Sequence, residues 1–349
     1  MSEPPQPEPP PVSQPIVSPL TAAAIFLVLT VNPGGEETVR DLLPDISALQ
    51  RSVGFRIPEG TLQAVAGIGS DAWDRLFAGP RPAELHPFRE LRGPRHHAPA
   101  TPGDLLFHIR ANRMDLCFEF ATQVMVRLSG AVTVHDEVQG FRYFDERDLI
   151  GFVDGTESPG GTAGVRAAIV SAQADPDFAA GSYVIVQKYL HDIPAWNSLS
   201  VEEQERVIGR SKLDDIEMPD DVKPANSHVA LNTITGPDGE ERQIIRANMP
   251  FGNVGAGEFG TYYIAYAATP SVTEEMLENM FLGSPPGNTD RILDFSTAIT
   301  GGLFFAPPAD FLDDPPGPPA AAQAAVPAVA EAAAAPAGDG SLGIGSLKG

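Results

Sequence analysis

Proline carries no backbone N–H, and this chain of 349 residues gathers it at both ends. Eight of the first 19 residues are proline. A second cluster, Pro315-Pro316-Gly317-Pro318-Pro319, runs into residues 320–337, where twelve alanines are interrupted by Pro327 and Pro336. Neither end can sustain a helix or a strand ladder along its length. The sequence therefore confines packed structure to residues 20–312, between a disordered lead (1–19) and a Pro/Ala-rich linker (313–338). An apolar fraction of 42% is enough to give that middle part a large core.

Charge and cysteine content narrow the function classes. Aspartate and glutamate total 46 against 23 lysine and arginine, a formal charge of −23 that opposes binding to nucleic acid. One cysteine, Cys117, excludes an intrachain disulfide framework and any cysteine-built zinc or iron–sulfur cage, and it fits a reducing compartment. The early apolar run at 22–31 is about half of the ~20 residues a membrane helix needs, and no export signal precedes it. The expected setting is cytoplasmic, with no membrane partner.

Within 20–312 the hydrophobic periodicity alternates between strand and helix. Strands are expected at 22–31, 62–68, 105–109 and from 131. A helix through Val39, Leu42, Ile46 and Leu49 should kink at Pro44, a short one should span 71–77, and a long one 112–128. The order then repeats, with strands at 183–190, 243–247, 261–267 and 303–305 and helices near 200–208 and 272–281. Each half (20–145 and 146–312) reads β-α-β-β-α-β, the ferredoxin-like motif. The fold class is α+β: two such halves with their helix-free faces apposed, forming a barrel-like sandwich.

Several patterns lose their chemistry on inspection. Gly255-Ala-Gly257-Glu-Phe-Gly260 has dinucleotide-fingerprint spacing but opens the β-prone Thr261–Tyr266 rather than a helix, so it reads as a loop between strands. Cys117 lies on an apolar helix face and reads as a buried, inert thiol. None of the seven histidines forms an HxxxH pair. His228, in Asn226-Ser227-His228-Val229, follows a polar segment and enters an apolar one. Two stretches are more informative. Gly151-Phe152-Val153-Asp154-Gly155-Thr156-Glu157 can hold a carboxylate in a turn facing a cavity, although Asp-Gly turns are common. Arg246 and Asn248 are two apart, hence on one face of an otherwise apolar strand, which is costly unless they serve a buried polar site.

Taken in order, Gly151–Gly155, Ser227-His228, Arg246-Ala247-Asn248 and Asp290-Arg-Ile-Leu-Asp294-Phe with Gly302–Phe305 resemble the dye-decolourising peroxidases across the whole globule, most closely their bacterial cytoplasmic group. The first stretch matches that family's GxxDG motif, and the duplicated ferredoxin-like reading agrees with its fold. The resemblance implies haem b as cofactor, with His228 as the proximal iron ligand and Asp290 or Asp294 as its carboxylate partner. It also implies Asp154, Arg246 and Asn248 on the peroxide side, and Arg210 with Thr156 and Glu157 near the haem propionates. Hydrogen peroxide and a small one-electron donor such as a dye or phenol would be the substrates. A haem-handling protein with incidental peroxidase activity, or a relative of the chlorite dismutases, are the competing readings.

Residues 339–349 form a last zone. Leu342, Ile344 and Leu347, spaced by glycine and serine, suit either a frayed tail or an extended peptide docking in a groove. The segment resembles the cargo-loading peptide that packs such enzymes into encapsulin nanocompartments. The 25 residues of 314–338 would span roughly 25–30 Å as a flexible coil, enough to reach a neighbour. A homo-oligomer, of dimers or trimers of dimers, is what the same resemblance implies.

Overall fold

A computed structural model describes residues 10–155 and 158–320. The lead before residue 10, Thr156 and Glu157, the linker beyond residue 320 and the 339–349 segment lie outside the described residues.

Strand β1 (Ala23–Val31) is aliphatic and β-branched and is buried on both faces. Helices α1 (Glu36–Leu42) and α2 (Ile46–Gly54) form one helical path interrupted by a 3-10 turn at Leu43–Asp45. Pro44 sits in that turn, where it has no N–H to donate to an α-helical ladder. The first half continues with β2 (Gln63–Gly69), α3 (Ser70–Leu76), β3 (Leu105–Ala111), α4 (Met114–Arg127) and β4 (Val132–Phe141). The second half has β5 (Ser182–His191), α5 (Val201–Ile208), α6 (His228–Asn232), β6 (Ile245–Arg246), β7 (Met249–Asn253), β8 (Glu258–Ala267), α7 (Pro270–Phe281), β9 (Ser296–Ala298) and β10 (Gly302–Ala306).

Both halves have the ferredoxin-like strand order, β4-β1-β3-β2 and β10-β5-β8 followed by β6 and β7. They merge edge to edge, because β10 pairs antiparallel with β2 through Phe304↔Gly69 and Phe305↔Ile68. The result is one ten-stranded antiparallel sheet that curls on itself. Phe26 of β1 stacks on Tyr262 of β8 at a centroid distance of 4.2 Å, although five strand-to-strand steps separate β1 and β8 along the sheet. Alternation divides the side chains accordingly. Phe26, Val65, Leu106, Val184, Tyr262 and Phe304 fill the interior, whereas Ile25, Leu27, Phe107 and Ile185 meet the helices outside. The α+β, barrel-like expectation agrees with this architecture.

One boundary needs correction. Residues 1–19 were expected to be disordered, yet 10–19 pack against the barrel. Ile16 is completely buried in the inner core. The Gln14 side chain donates to Ala66 O and Pro307 O at 2.9 and 2.8 Å and accepts from Ala66 N at 2.8 Å. Counting missing N–H groups overlooks that a proline-rich strand still offers carbonyls: buried Arg110 of β3 donates to Pro15 O and to Ile16 O. The packed chain also runs past residue 312, through a short helix at Ala309–Asp313 to Gly317, whose carbonyl accepts from Ala78 N at 2.8 Å. The Ile16→Ala variant should lose about 2–4 kcal/mol of stability in a denaturant titration, as for other emptied core positions; an unchanged midpoint would contradict this packing.

Candidate active site

Ser227 caps helix α6, its Oγ accepting from Ala230 N at 3.4 Å, and this places His228 at the first helical position. His228 Nδ1 lies 2.7 Å from Oδ2 of Asp290, a carboxylate with no solvent exposure. The other oxygen, Oδ1, accepts from Ile292 N at 2.9 Å. Asn232, one helical turn along, donates to His228 O at 2.8 Å and reaches Asp290 Oδ2 at 3.5 Å. The carboxylate can only accept, so the proton belongs on Nδ1 and the lone pair on Nε2. Of the two aspartates the sequence left open, Asp294 is instead held by Arg95, at 2.5 Å.

The loop from Arg147 to Gly155 supplies a second carboxylate. Arg147 and Val153 bridge across it, and Asp154 N donates to Glu146 O at 2.9 Å. Both oxygens of Asp154 lie 3.1 Å from Nδ2 of Asn248. Arg246 and Asn248 lie two apart on one stretch that keeps a single register against β8, as expected, but the hydrogen-bond ladder is irregular between them. The ladder breaks between β6 and β7, and Ile264 N, which would face a backbone carbonyl there, donates to Asn248 Oδ1 at 3.0 Å. Both functional groups of the amide are thereby engaged by protein. The Arg246 backbone N–H is taken by Ser158 Oγ at 3.1 Å, while its buried Nε has no hydrogen-bond partner among the described residues.

These elements line one cavity of about 170 Å³, which brings His228, Asp154, Arg246, Asn248 and Arg210 together. Ile208, Val229, Leu277, Met280 and Ile292 give it apolar walls. Arg210 is bound by Asp215, Nε to Oδ1 at 3.0 Å, with Glu217 at 3.6 Å. Thr156 and Glu157 lie outside the described residues. The looped reading of 255–260 holds for Gly255–Gly257, a 3-10 turn at Val254–Ala256 and a left-handed Gly257, whereas Glu258–Gly260 already belong to β8. Cys117 is buried, and burial pushes its thiol up to about 12.

Sequence reasoning missed four cavity residues. Asn232 would have followed from His228 by i, i+4 spacing had α6 been anticipated behind its Ser cap. Arg242 lines the cavity beyond a small hairpin, bound to Asp238 at 2.8 Å. Asp148 stands six residues before Asp154 on the same loop. His191 ends β5 between two hydroxyls, with Nδ1 2.8 Å from Ser296 Oγ and Nε2 2.9 Å from Thr261 Oγ1. Only the fold brings those hydroxyls to it.

With the geometry in place, comparison with known proteins is direct. The family models described as Dyp-type peroxidase, N-terminal, and Dyp-type peroxidase, C-terminal, match residues 13–142 and 145–311. A dye-decolorizing peroxidase of Rhodococcus erythropolis is 66% identical over 97% of this chain and 98% of its own length. Its counterpart from Mycobacterium tuberculosis is 64% identical, over 96% and 97%. Among solved structures, the encapsulated DyP-type peroxidase from Mycobacterium smegmatis superposes with a TM-score of 0.87 at 69% identity, covering 89% of this chain and all (100%) of that one. A DypB variant of Rhodococcus jostii in complex with heme gives 0.84 at 56% identity, over 86% and 97%.

Burial disfavours the charged form of His191 and pushes its pKa down to about 4 from an ordinary 6.5. The folded state thus resists a proton that the unfolded chain accepts. Stability from this site is complete above the unfolded value and is lost as pH falls from about 6.5 towards 4, by about 3 kcal/mol in all. Unfolding titrations at stepped pH should show that loss, and His191→Gln should flatten it.

Proposed function

This chain belongs to the Dyp-type peroxidases, and from that membership we propose that its cavity binds haem at His228 and handles hydrogen peroxide with Asp154 and Arg246. The observation that carries the reading is the meeting, in one cavity, of a histidine backed by a buried carboxylate and a carboxylate clamped by an amide beside a guanidinium whose Nε has no partner among the described residues.

The donor set fits the group. Imidazole Nε2 with its lone pair free is an iron ligand, and the Nδ1–H bond to Asp290 makes it a stronger one while fixing the ring. Apolar walls suit a porphyrin face, and Arg210 and Arg242 at the cavity supply positive charge for its carboxylates. Haem, when bound, would supply the two electrons that cleave the O–O bond, and a dye or phenol would restore them in two one-electron steps.

The remaining work falls to the chain. Asp154 takes the proton from the near oxygen of peroxide and returns it to the departing one. Arg246 offers fixed positive charge where negative charge develops on that oxygen. Asn248 has its amide committed to Asp154 and its carbonyl to Ile264 N, so it holds the carboxylate in place rather than gripping peroxide itself.

Segment 339–349 is proposed as the docking peptide for an encapsulin shell, by analogy with the encapsulated Mycobacterium smegmatis relative. Its apolar Leu342, Ile344 and Leu347 are the anchors. Homo-oligomer formation is proposed on the family resemblance alone.

Three variants test these assignments. Arg246→Leu should keep the Soret absorption yet slow reaction with peroxide at least about 100-fold in stopped flow, whereas His228→Ala should fail to retain haem; wild-type behaviour in either rejects that assignment. Deleting 339–349 should leave peroxide turnover intact and abolish co-purification with a co-expressed shell protein.

A further inference from the structure

Asp148 is a carboxyl that the mechanism above does not use, although it lines the same cavity. Its Oδ1 accepts from Gly151 N at 2.8 Å and Phe152 N at 3.0 Å, and its own N–H donates to Phe152 O at 2.8 Å. The side chain thus closes the turn whose far arm carries Asp154. Gly151 adopts φ +96°, and a Cβ there would meet Lys212 Cε at 2.5 Å, so the turn is pressed against Lys212. Arg147 braces it from the other side, donating to Gly151 O at 2.9 Å and Lys212 O at 2.6 Å. Asp148 Oδ2 has no hydrogen bond from any described residue.

Resting on the reading of Asp154 given above, we propose that Asp148 is a positioning residue that holds a proton of its own. Neutral, it leaves Asp154 the one charged carboxylate of this loop at the cavity. Ionised, it sets a second negative charge beside the place where Arg246 must stabilise negative charge on the departing oxygen, and the reaction with peroxide slows.

Burial first, and then the neighbouring Asp154 carboxylate, push Asp148 up to about 7 against the pull of the loop amides of Phe152, Gly151 and Ile150. The charged groups around it are Asp154 and Arg147 on its own loop and Lys212 beyond α5, whose Nζ is held by Gln204 Oε1 at 2.6 Å. Glu205 of α5 accepts from Lys212 N at 2.8 Å. Elsewhere the cavity presents His191, His228, Arg210 and Arg246, together with Glu241 and Arg242. Lys212 packs against the turn, but Gln204 and the Phe152 ring, 5.4 Å from Nζ, hold it. It forms no salt bridge with Asp148.

The test uses the haem-loaded full chain. Wild type should react with peroxide at a steady rate below neutrality and lose about tenfold or more above it, the scale of one nearby like charge. Asp148→Asn keeps an Oδ1 acceptor for the two amides but cannot ionise, so its rate should stay level across the same range. Infrared difference spectra should show a protonated-carboxyl stretch that disappears as wild type is taken through neutrality. That band should persist in Asp154→Asn, titrating at lower pH, and be missing from Asp148→Asn. A rate decline unchanged in Asp148→Asn, or no such band in wild type, overturns the proposal. If Asp148→Asn does not load haem, the spectra of wild type and Asp154→Asn decide: the band in both supports it, and its absence from either overturns it. A wild-type peroxide rate in Asp154→Asn sinks the role given to Asp154, a failure separable from that of Asp148 because the infrared band is read independently.

Discussion

A carboxylate shut away from water must be hydrogen-bonded, and Asp290 is enclosed completely. Its two oxygens collect Nδ1–H of His228 and the N–H of Ile292, and its own N–H goes to Met280 O, so one residue ties α6 to the end of α7 and to the turn that follows. Removing a partner from such a buried charge typically costs about 3–5 kcal/mol. The arrangement is therefore self-enforcing. The histidine ring cannot swing out to water without stranding the carboxylate, and its tautomer follows from the same bond. Stability of this corner and the availability of Nε2 are one constraint seen from two sides.

The duplicated fold was legible because each strand satisfies its local pattern. Nearly every expected element lies within a few residues of the one observed, down to the break at Pro44. What local pattern could not supply was the edge at which the halves join. Phe304 and Phe305 read simply as strand residues, and nothing in them names Gly69 and Ile68 as partners. Residues 10–19 were misread for a related reason: their anchors, Arg110 and Ala66, are distant in sequence. Short elements were also invisible. The five-residue α6 has too few positions to display a period, although it carries His228.

Site residues divide along the same line. Those embedded in a contiguous signature, Asp154, His228, Arg246 and Asn248, could be read because the signature itself is local. Choosing Asp290 over Asp294 required coordinates, since both fall in one short stretch and only the turn at Arg291–Asp294 decides which carboxylate points inward. His191 depends on hydroxyls from Thr261 and Ser296, 70 and 105 residues away. No window of sequence contains all three.

The corner shared by Asp154, Asn248 and Arg246 shows why neighbouring polar groups take different parts. Asn248 is engaged at both ends: its amide meets both oxygens of Asp154 and its carbonyl replaces a missing ladder acceptor for Ile264 N. Such a group gives rigidity and has little left to offer a substrate. Arg246 is the reverse, with its main-chain N–H anchored by Ser158 and a buried Nε that has no partner among the described residues. The amide fixes the Asp154 carboxylate and the guanidinium keeps its reach, so the division follows from which hydrogen bonds the irregularity between β6 and β7 consumes and which it leaves open.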